Sequence, residues 1–412
     1  MLCRVAMTSA TRAPGLSLVG GASLVFKLLF YAPPKILFIL LRCYTLATLR
    51  GISLKHWETC AYFRFALLHL SPSQIQFLAP STRKTYTSWL TSRQSRAARL
   101  TRKDPNDKEA SFLASRLKID TEALPDGESS LLWIGDRHKA TKFVYFFHGG
   151  GYVAPGRTGH MEWCTHAYLL ASPAAGGRGA GTAGSEEVAV AMLQYTLAPG
   201  AKYPTQLRQA ADGLAHLFAS GRVRPGNLVI GGDSAGGNLT AQLLSHLLKP
   251  HPAAREVVLQ EPLAGAFLVS PWLSTSIEWA SMKRNSSIDM ISTKAMRAIK
   301  VDVLEGVDAY VVEAREKKGW VTPMNLEDVE GWFKGLDRVT RQVYVTAGEQ
   351  EIMLDQGVAF ADAVRRGNPG VEVRLDVTKE EAHDWILIEG EKALDGDATQ
   401  RMRAWFRNVV WP

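Results

Sequence analysis

From Leu131 onward the chain alternates short apolar runs with longer amphipathic runs, and this alternation limits the folds that it can adopt. Six of the short runs are rich in β-branched and aromatic residues, which is typical of buried strands. They are Lys142–Phe147, Val188–Tyr195, Asn227–Ile230, Ala264–Val269, Gln342–Thr346 and Val371–Val377. Helical runs lie between them, notably Pro204–Ala219 and Gly236–Leu248. Strands that alternate with helices predict an α/β fold, with a mostly parallel central sheet and helices on both of its faces.

Three regions are predicted along the chain. Residues 1–56 form a basic, apolar N-terminal segment, residues 57–125 form N-terminal cap helices, and residues 126–412 form the α/β domain. An amphipathic stretch at about 274–323 interrupts the alternation and predicts a helical cap insertion, in which the glycosylation sequon Asn285-Ser286-Ser287 is expected to be exposed. The Gly- and Ala-rich stretch Ser172–Glu187 predicts a surface loop.

Basic charge is concentrated in the N-terminal segment. The net charge of the chain is +8, and the seven Lys and Arg residues before Trp57 are accompanied by no Asp or Glu. The rest of the chain is therefore nearly neutral, and it lacks the basic stripe and the recognition module that a nucleic-acid-binding protein needs. The four cysteines include no Cys-x-x-Cys pair. Neither a metal nor a cofactor is predicted.

Two apolar runs in the N-terminal segment, Ala22–Ala32 and Ile36–Leu41, raise the question of a membrane. A helix that spans a bilayer needs about 20 uninterrupted apolar residues, whereas Pro33 and Pro34 separate these runs. We therefore expect shorter helices that associate with a membrane surface, for example that of the endoplasmic reticulum. The alternatives are an organelle-targeting segment and a soluble, cytoplasmic protein whose apolar helices cover its body.

The pattern Gly-x-Ser-x-Gly occurs at Gly232–Gly236, between a predicted strand and a predicted helix. A sharp strand-to-helix turn presents such a serine as a nucleophile, and the flanking glycines leave room for the strained backbone. The turn also places Ser234 at the N-terminus of a helix, whose dipole favours developing negative charge. Ser234 is the candidate nucleophile, with Gly232 and Gly236 as supporting residues.

A glycine-rich loop, His148-Gly149-Gly150-Gly151, directly follows the strand Lys142–Phe147. Acyl transfer needs backbone N–H groups that point at an oxyanion, and glycines let the backbone come close. We predict that Gly149, Gly150 and Gly151 form an oxyanion hole together with Ala235, the residue after the serine. A phosphate-binding loop is excluded because no Gly-Lys-Ser/Thr follows. His148 is expected to hold the loop in place through hydrogen bonds.

A serine nucleophile needs a base, which in this architecture follows both the serine and an acid along the chain. Three histidines come after Ser234. His246 and His251 lie too close to it to leave room for an acid-bearing strand. His383 follows the last predicted strand and is the candidate base.

The acid is expected after the strand Gln342–Thr346, because a carboxylate at the end of a strand can orient an imidazole. Glu351 and Asp355 both satisfy the chain order. Glu349 is a weaker third candidate. Spacing alone leaves this choice open.

Together these motifs resemble the hormone-sensitive-lipase branch of the α/β-hydrolase superfamily. The similar segments are His148–Tyr152, Tyr195–Pro199, Gly231–Leu239 and Glu351–Gly357. The chain also resembles the fungal steryl-acetate hydrolase-like members of this branch, because they too have an apolar N-terminal extension. The family pattern at the acid is Asp-x-Leu-x-Asp, with the first Asp catalytic. The resemblance therefore favours Glu351, at the first position, over Asp355, at the second.

The resemblance implies an α/β-hydrolase fold with a helical cap and a serine hydrolase that cleaves carboxylic esters. The aromatic segments Tyr62–Leu70 and Trp272–Trp279 favour a hydrophobic small-molecule ester, such as a lipid-like, sterol-acetate or secondary-metabolite ester. The first alternative is a non-catalytic ligand receptor on the same fold, which the retention of both Ser234 and His383 disfavours. The second alternative is an amidase or formamidase, which uses the same catalytic residues.

Overall fold

The computed structural model describes residues 15–176 and 186–411, so most of the predicted loop Ser172–Glu187 lies outside the described residues. Its centre is an eight-stranded sheet with the strand order β1-β2-β4-β3-β5-β6-β7-β8. The strands are β1 Thr121–Ala123, β2 Ser130–Ile134, β3 Lys142–Phe147, β4 Val188–Gln194, β5 Leu228–Asp233, β6 Gly265–Val269, β7 Gln342–Gly348 and β8 Glu372–Thr378. The strands from β4 to β8 across the sheet pair in parallel, whereas β1 and β2 pair antiparallel at one edge.

The predicted α/β fold is confirmed, and each of the six predicted strands corresponds to a strand of the sheet. Sequence patterns missed β1 and β2. The first has only three residues, with no buried position. The second is buried at every position, so it lacks the alternation of polar and apolar residues that marks a half-buried strand.

Helices cover both faces of the sheet, and neighbouring residues of a strand belong to different cores. Phe143 and Tyr145 of β3 pack with one cluster of buried residues, whereas Val144 and Phe146 pack with the other. The helices are α1 Leu18–Phe26, α2 Ala32–Leu49, α3 Trp57–His69, α4 Pro72–Leu78, α5 Thr82–Lys103, α6 Lys108–Arg116, α7 Thr158–Ala167, α8 Thr205–Ala219, α9 Ala235–Leu248, α10 Ala280–Asn285, α11 Thr293–Leu304, α12 Asp308–Arg315, α13 Val329–Trp332, α14 Leu354–Gly367, α15 Trp385–Glu391 and α16 Asp397–Val410.

The N-terminal helix is longer than the sequence analysis predicted. A π-helical turn, Lys27–Tyr31, joins α1 to α2, so that the backbone stays helical from Leu18 to Leu49. Pro33 and Pro34 do not break it, because they lie in the first turn of α2, where the missing N–H of proline is best tolerated. The helix is long and apolar enough to cross a membrane by length and composition alone.

The carboxyl ends of the parallel strands lie together along one edge of the sheet. The ends of β3, β5, β6, β7 and β8 meet there, because parallel strands all point the same way. Helices α10, α11 and α12 lie in the stretch predicted as a cap insertion. Ligand sites of open α/β sheets form beyond this edge.

Candidate active site

Ser234 lies between the end of β5 and the start of α9, in a strained turn. Its backbone has φ 51° and ψ −112°, a conformation that non-glycine residues avoid unless the surrounding structure enforces it. A Cβ at Gly232 or Gly236 would come within 2.0 Å or 1.9 Å of the carbonyl oxygen of Phe147. Glycine is therefore required on both sides of the serine, and the turn has the form of a nucleophile elbow.

Backbone hydrogen bonds fix the elbow to the neighbouring strand. The N–H of Ser234 donates to the carbonyl of Val269 at 2.8 Å, and its carbonyl accepts from the N–H of Trp272 at 3.1 Å. Its hydroxyl has no hydrogen-bond partner among the described residues and lines a cavity. The hydroxyl is therefore available to a ligand.

The glycine loop after β3 differs from the prediction at its first glycine. The N–H of Gly149 donates to both carboxylate oxygens of Asp233 at 3.0 Å, so this amide is not free for an oxyanion. The amides of Gly150, Gly151 and Ala235 make no hydrogen bond within the described part of the chain. They remain the three candidate donors.

His148 is buried and has the surroundings of a structural residue. Its ring stacks on Tyr195 with centroids 4.4 Å apart, and its Nδ1 lies 2.8 Å from the carbonyl of Gly149. Burial lowers the pKa of His148 to about 4, with the neighbouring His160 acting in the same direction. An imidazole that is neutral and enclosed at physiological pH supports the loop rather than exchanging protons with a substrate.

His383 lies in the loop between β8 and α15, with 1% of its surface exposed. Its Nδ1 is 3.6 Å from Oε2 of Glu351. Its Nε2 is 3.3 Å from Oδ2 of Asp384. His383 and Ser234 line the same cavity, so the structure brings the candidate base to the candidate nucleophile.

The three acid candidates have different surroundings. Glu351 is fully buried beside His383, and its Oε2 accepts a hydrogen bond from the hydroxyl of Ser270 at 2.5 Å. Asp355 instead accepts a hydrogen bond from the N–H of Ser281 at 2.6 Å, in the first turn of α10. Glu349 is exposed. Glu351 is the candidate that can orient the imidazole.

The electrostatics of the site favour a positively charged imidazole. Burial by itself lowers the pKa of His383, but the carboxyl groups of Asp384, Glu351 and Asp289 together raise it to about 10. Burial raises the pKa of Asp384 well above its usual range.

Two neighbouring cavities open at this edge of the sheet. The cavity at Ser234 has a volume of about 60 Å³, and the next has about 540 Å³. Trp272 and Met296 line both. The smaller cavity is also lined by Phe63 and Leu67 of α3, which fall in the aromatic segment expected to form part of the pocket.

Three residues of the site, Ser270, Asp384 and Asp289, belong to no sequence motif that would identify them. Ser270 follows the end of β6 and contacts Glu351. Asp384 was visible only as the neighbour of His383. Asp289 lies in the insertion and reaches the site through backbone N–H groups of His383 and Ile352. The place of Ser270 in the site could be inferred only from the strand order, because β6 lies between β5, which is followed by Ser234, and β7, which is followed by Glu351.

No group of three or more His, Cys, Asp or Glu residues among those described could hold a metal ion. The chemistry that the described residues offer is that of a nucleophile, a base, an acid and backbone N–H donors.

The chain is similar to known proteins in sequence and in structure. A family model for the alpha/beta hydrolase fold (Abhydrolase_3) matches residues 144–387, more than half of the chain. An esterase of Acinetobacter venetianus is 26% identical over 238 residues, which are 57% of this chain and 65% of that protein. An acetyl-hydrolase of Streptomyces hygroscopicus is 24% identical over 275 residues, which are 65% of this chain and 78% of that protein.

A solved structure agrees with this. Carboxyl esterase 2 of the mycorrhizal fungus Tuber melanosporum superposes with a TM-score of 0.54 at 19% identity, covering 71% of this chain and 86% of that one. At this identity the likeness shows the fold. The chain spans less than two thirds of the length of the Acinetobacter esterase. The predicted resemblance is confirmed at the level of the family: the chain belongs to the alpha/beta hydrolase fold family, in its hormone-sensitive-lipase-like branch.

Proposed function

We propose that the protein is a serine hydrolase that cleaves carboxylic esters. The observation that carries this proposal is a buried serine in a strained elbow that shares one cavity with a histidine, with that histidine 3.6 Å from a buried glutamate. Three backbone N–H groups, those of Gly150, Gly151 and Ala235, belong to the same elbow and glycine loop and make no hydrogen bond to any residue that the structure describes. The similarity to an esterase and to an acetyl-hydrolase supports the same activity.

The proposed mechanism has two halves. The hydroxyl of Ser234 attacks the ester carbonyl while Nε2 of His383 takes its proton, and Glu351 stabilises the imidazolium that forms. The amides of Gly150, Gly151 and Ala235 donate hydrogen bonds to the oxyanion. His383 then protonates the leaving alcohol. Water attacks the acyl-enzyme by the same route, which releases the acid and restores the serine.

The two cavities support a preference for a short acyl chain and a larger alcohol. The cavity at Ser234, about 60 Å³, is several times smaller than a typical site for a small organic molecule. The neighbouring cavity, about 540 Å³, lies in the range of sites for small organic molecules, roughly 300–1,000 Å³. Trp272, Met282, Leu304 and Val311 give it apolar walls. An acetate ester of a bulky apolar alcohol, such as a sterol-like or secondary-metabolite alcohol, fits this division.

We further propose that the helix from Leu18 to Leu49 associates with a membrane. One face packs on the body through Ile39, Cys43 and Ala47, whereas Phe30 on the other side is 67% exposed. An apolar helix with basic and no acidic residues suits an anionic lipid surface. Flotation with vesicles that contain phosphatidylserine tests this: the full chain should float with them, and recovery only in the lipid-free fraction would contradict it.

Hydrolysis of p-nitrophenyl acetate tests the proposed activity. Ser234→Ala should abolish turnover without unfolding the protein, because alanine keeps the elbow and removes the nucleophile. Ser245→Ala is the matched control: Ser245 is a buried serine of α9, the helix that follows Ser234, and its hydroxyl accepts a hydrogen bond from Trp332. This variant should retain turnover. Wild-type turnover in Ser234→Ala would refute the proposal. Cleavage of p-nitroacetanilide in preference to the ester would assign the site to amide hydrolysis.

A further inference from the structure

A turn of the cap insertion, Asn285–Met290, lies between the loop that contains Glu351, the proposed acid, and the loop that contains His383, the proposed base. Asp289 in this turn is fully buried. Its Oδ2 accepts a hydrogen bond from the N–H of Ile352 at 2.8 Å, and its Oδ1 accepts one from the N–H of His383 at 3.1 Å. The N–H of Met290 also donates to Oδ1, at 2.7 Å. Both oxygens act as acceptors, the role of an ionised carboxylate.

We propose that Asp289 is a positioning residue, which ties the backbone next to Glu351 to the backbone of His383 and thereby sets the distance between the acid and the base. The inference rests on the proposed function for the roles of these two residues. Ser270 bridges the same loops from the sheet, because its Oγ donates to Glu351 and accepts from the N–H of Asp384 at 3.1 Å. The acid and the base are therefore held from two sides, by the sheet and by the insertion.

Arg64 of α3 holds the turn in place. Its guanidinium donates to the carbonyl of Asp289 at 2.5 Å and to that of Ser286 at 2.6 Å. The side chain is buried, and a buried cation is costly unless it is hydrogen-bonded and near an opposite charge. The two carbonyls and the carboxylate of Asp289 meet that requirement. A helix outside the α/β domain thus supports the loops of the site.

Asn285, at the start of the turn, fixes the loop of the acid at a second place. Its Nδ2 donates at 2.8 Å to the carbonyls of both Glu349 and Glu351. Its Oδ1 accepts a hydrogen bond from Arg50 at 2.9 Å. The sequon at this residue was expected to be exposed, which is wrong: Asn285 is fully buried. A sequence pattern cannot show that the side chain of Asn285 is buried and hydrogen-bonded to the loop that contains Glu351.

A simpler role for Asp289 would be to stabilise its own turn through Met290. The two roles differ in their effect on the chemistry. A carboxylate that merely stabilises the turn changes the unfolding temperature and the amount of folded enzyme. A positioning carboxylate changes turnover per folded molecule and the protonation of His383, because its negative charge stabilises the imidazolium.

Asp289→Asn separates these roles, because asparagine keeps the shape of the side chain but offers one acceptor oxygen instead of two. We expect kcat for p-nitrophenyl acetate to fall by about 100-fold with little change in KM, since displacement of catalytic groups by about 1 Å has an effect of this size. The acid limb of kcat/KM should move to lower pH. Asp126→Asn is the control: this half-buried carboxylate accepts backbone N–H groups of Glu128 and Ser129 beside β1 and β2, and it should keep the wild-type profile.

Histidine-selective NMR supplies a readout that does not depend on hydrolysis. The signal of His383 is identified by its loss in His383→Gln, and its pKa should be lower in Asp289→Asn than in the wild type. An unchanged pKa and an unchanged kcat per folded molecule would overturn the proposal, whatever the unfolding temperature does. If the wild type hydrolyses nothing, the proposed function fails, and the titration still decides the role of Asp289.

A second variant applies if Asp289→Asn does not fold. Arg64→Lys keeps the charge but cannot reach both carbonyls with a planar group. We expect a smaller fall in kcat and altered imidazole chemical shifts of His383. A wild-type kcat with wild-type shifts would overturn the proposed support of the turn.

Discussion

Replacement of Glu351 by glutamine tests the assignment of the acid. Glutamine is nearly isosteric, and its carbonyl can still accept the hydrogen bond that Ser270 donates to Oε2. With its oxygen in this position glutamine also keeps the contact with Nδ1 of His383, which lies 3.6 Å from Oε2 in the wild type, but it carries no negative charge. The imidazolium that forms when His383 takes the proton of Ser234 is then no longer stabilised by a charge at this position.

The size of the effect follows from the neighbours of His383. Replacement of the carboxylate by its amide costs about 10⁴-fold in kcat in the Ser-His-Asp template. The loss should be smaller here, because Asp384 and Asp289 also act on the imidazole. We expect a fall of about 10³-fold, which corresponds to about 4 kcal/mol in the activation free energy. The free energy of unfolding should fall by no more than about 1–2 kcal/mol, because the hydrogen bond to Ser270 is kept.

The assay measures kcat and KM for p-nitrophenyl acetate, with thermal unfolding as the control for folding. Asp355→Asn is the matched variant, because Asp355 is the other acid candidate and binds the N–H of Ser281. Its kcat should remain close to that of the wild type. The reverse ranking of the two variants would transfer the role of the acid to Asp355, and a wild-type kcat in Glu351→Gln would refute the reasoning.

Three further predictions concern the surroundings of the site. Neighbouring carboxyl groups raise the pKa of His383, and only the neutral imidazole acts as a base. The value of kcat/KM should therefore rise with pH through an acid limb above about pH 6.5, the ordinary pKa of histidine. An acid limb below that pH would contradict this prediction. Gly149→Ala would place a Cβ 2.0 Å from Asp233, so the glycine loop must shift. We expect kcat to fall by about 10²–10³-fold, as for a lost oxyanion donor. Unchanged turnover would exclude the glycine loop from catalysis. Met296→Ala should raise the ratio of kcat/KM for p-nitrophenyl octanoate to that for the acetate, because Met296 lines both cavities and its truncation adds room beside Ser234. An unchanged ratio would exclude it as the limit on the acyl chain.

Local patterns in the sequence predicted the parts of the molecule that depend on local geometry. The six strands are short, apolar and bounded by turn residues, and the elbow at Ser234 is marked by glycine on both sides, where a Cβ would collide with the carbonyl oxygen of Phe147. The choice of His383 as the candidate base followed from the order of elements along the chain. Its position near Glu351 required the parallel sheet, which brings the ends of distant strands to one edge.

Long-range contacts decided what the sequence patterns left open. Glu351 and Asp355 are equivalent by chain order, and the contact of Glu351 with His383 distinguishes them. Nothing in the sequence distinguishes Gly149 from the two glycines that follow it, whereas in the structure its N–H is bonded to Asp233. Prolines predicted a break in the N-terminal helix, but their place in a first turn allows the helix to continue.

Reaction with a fluorophosphonate probe, followed by peptide mass spectrometry, tests the central claim most directly, because the probe labels only an activated nucleophile. The full chain should carry a single adduct on the peptide that contains Ser234, no adduct should form in Ser234→Ala, and labelling should be slower by orders of magnitude in His383→Gln. An unlabelled wild type, or an adduct on another residue, would contradict the assignment of this site as a serine hydrolase.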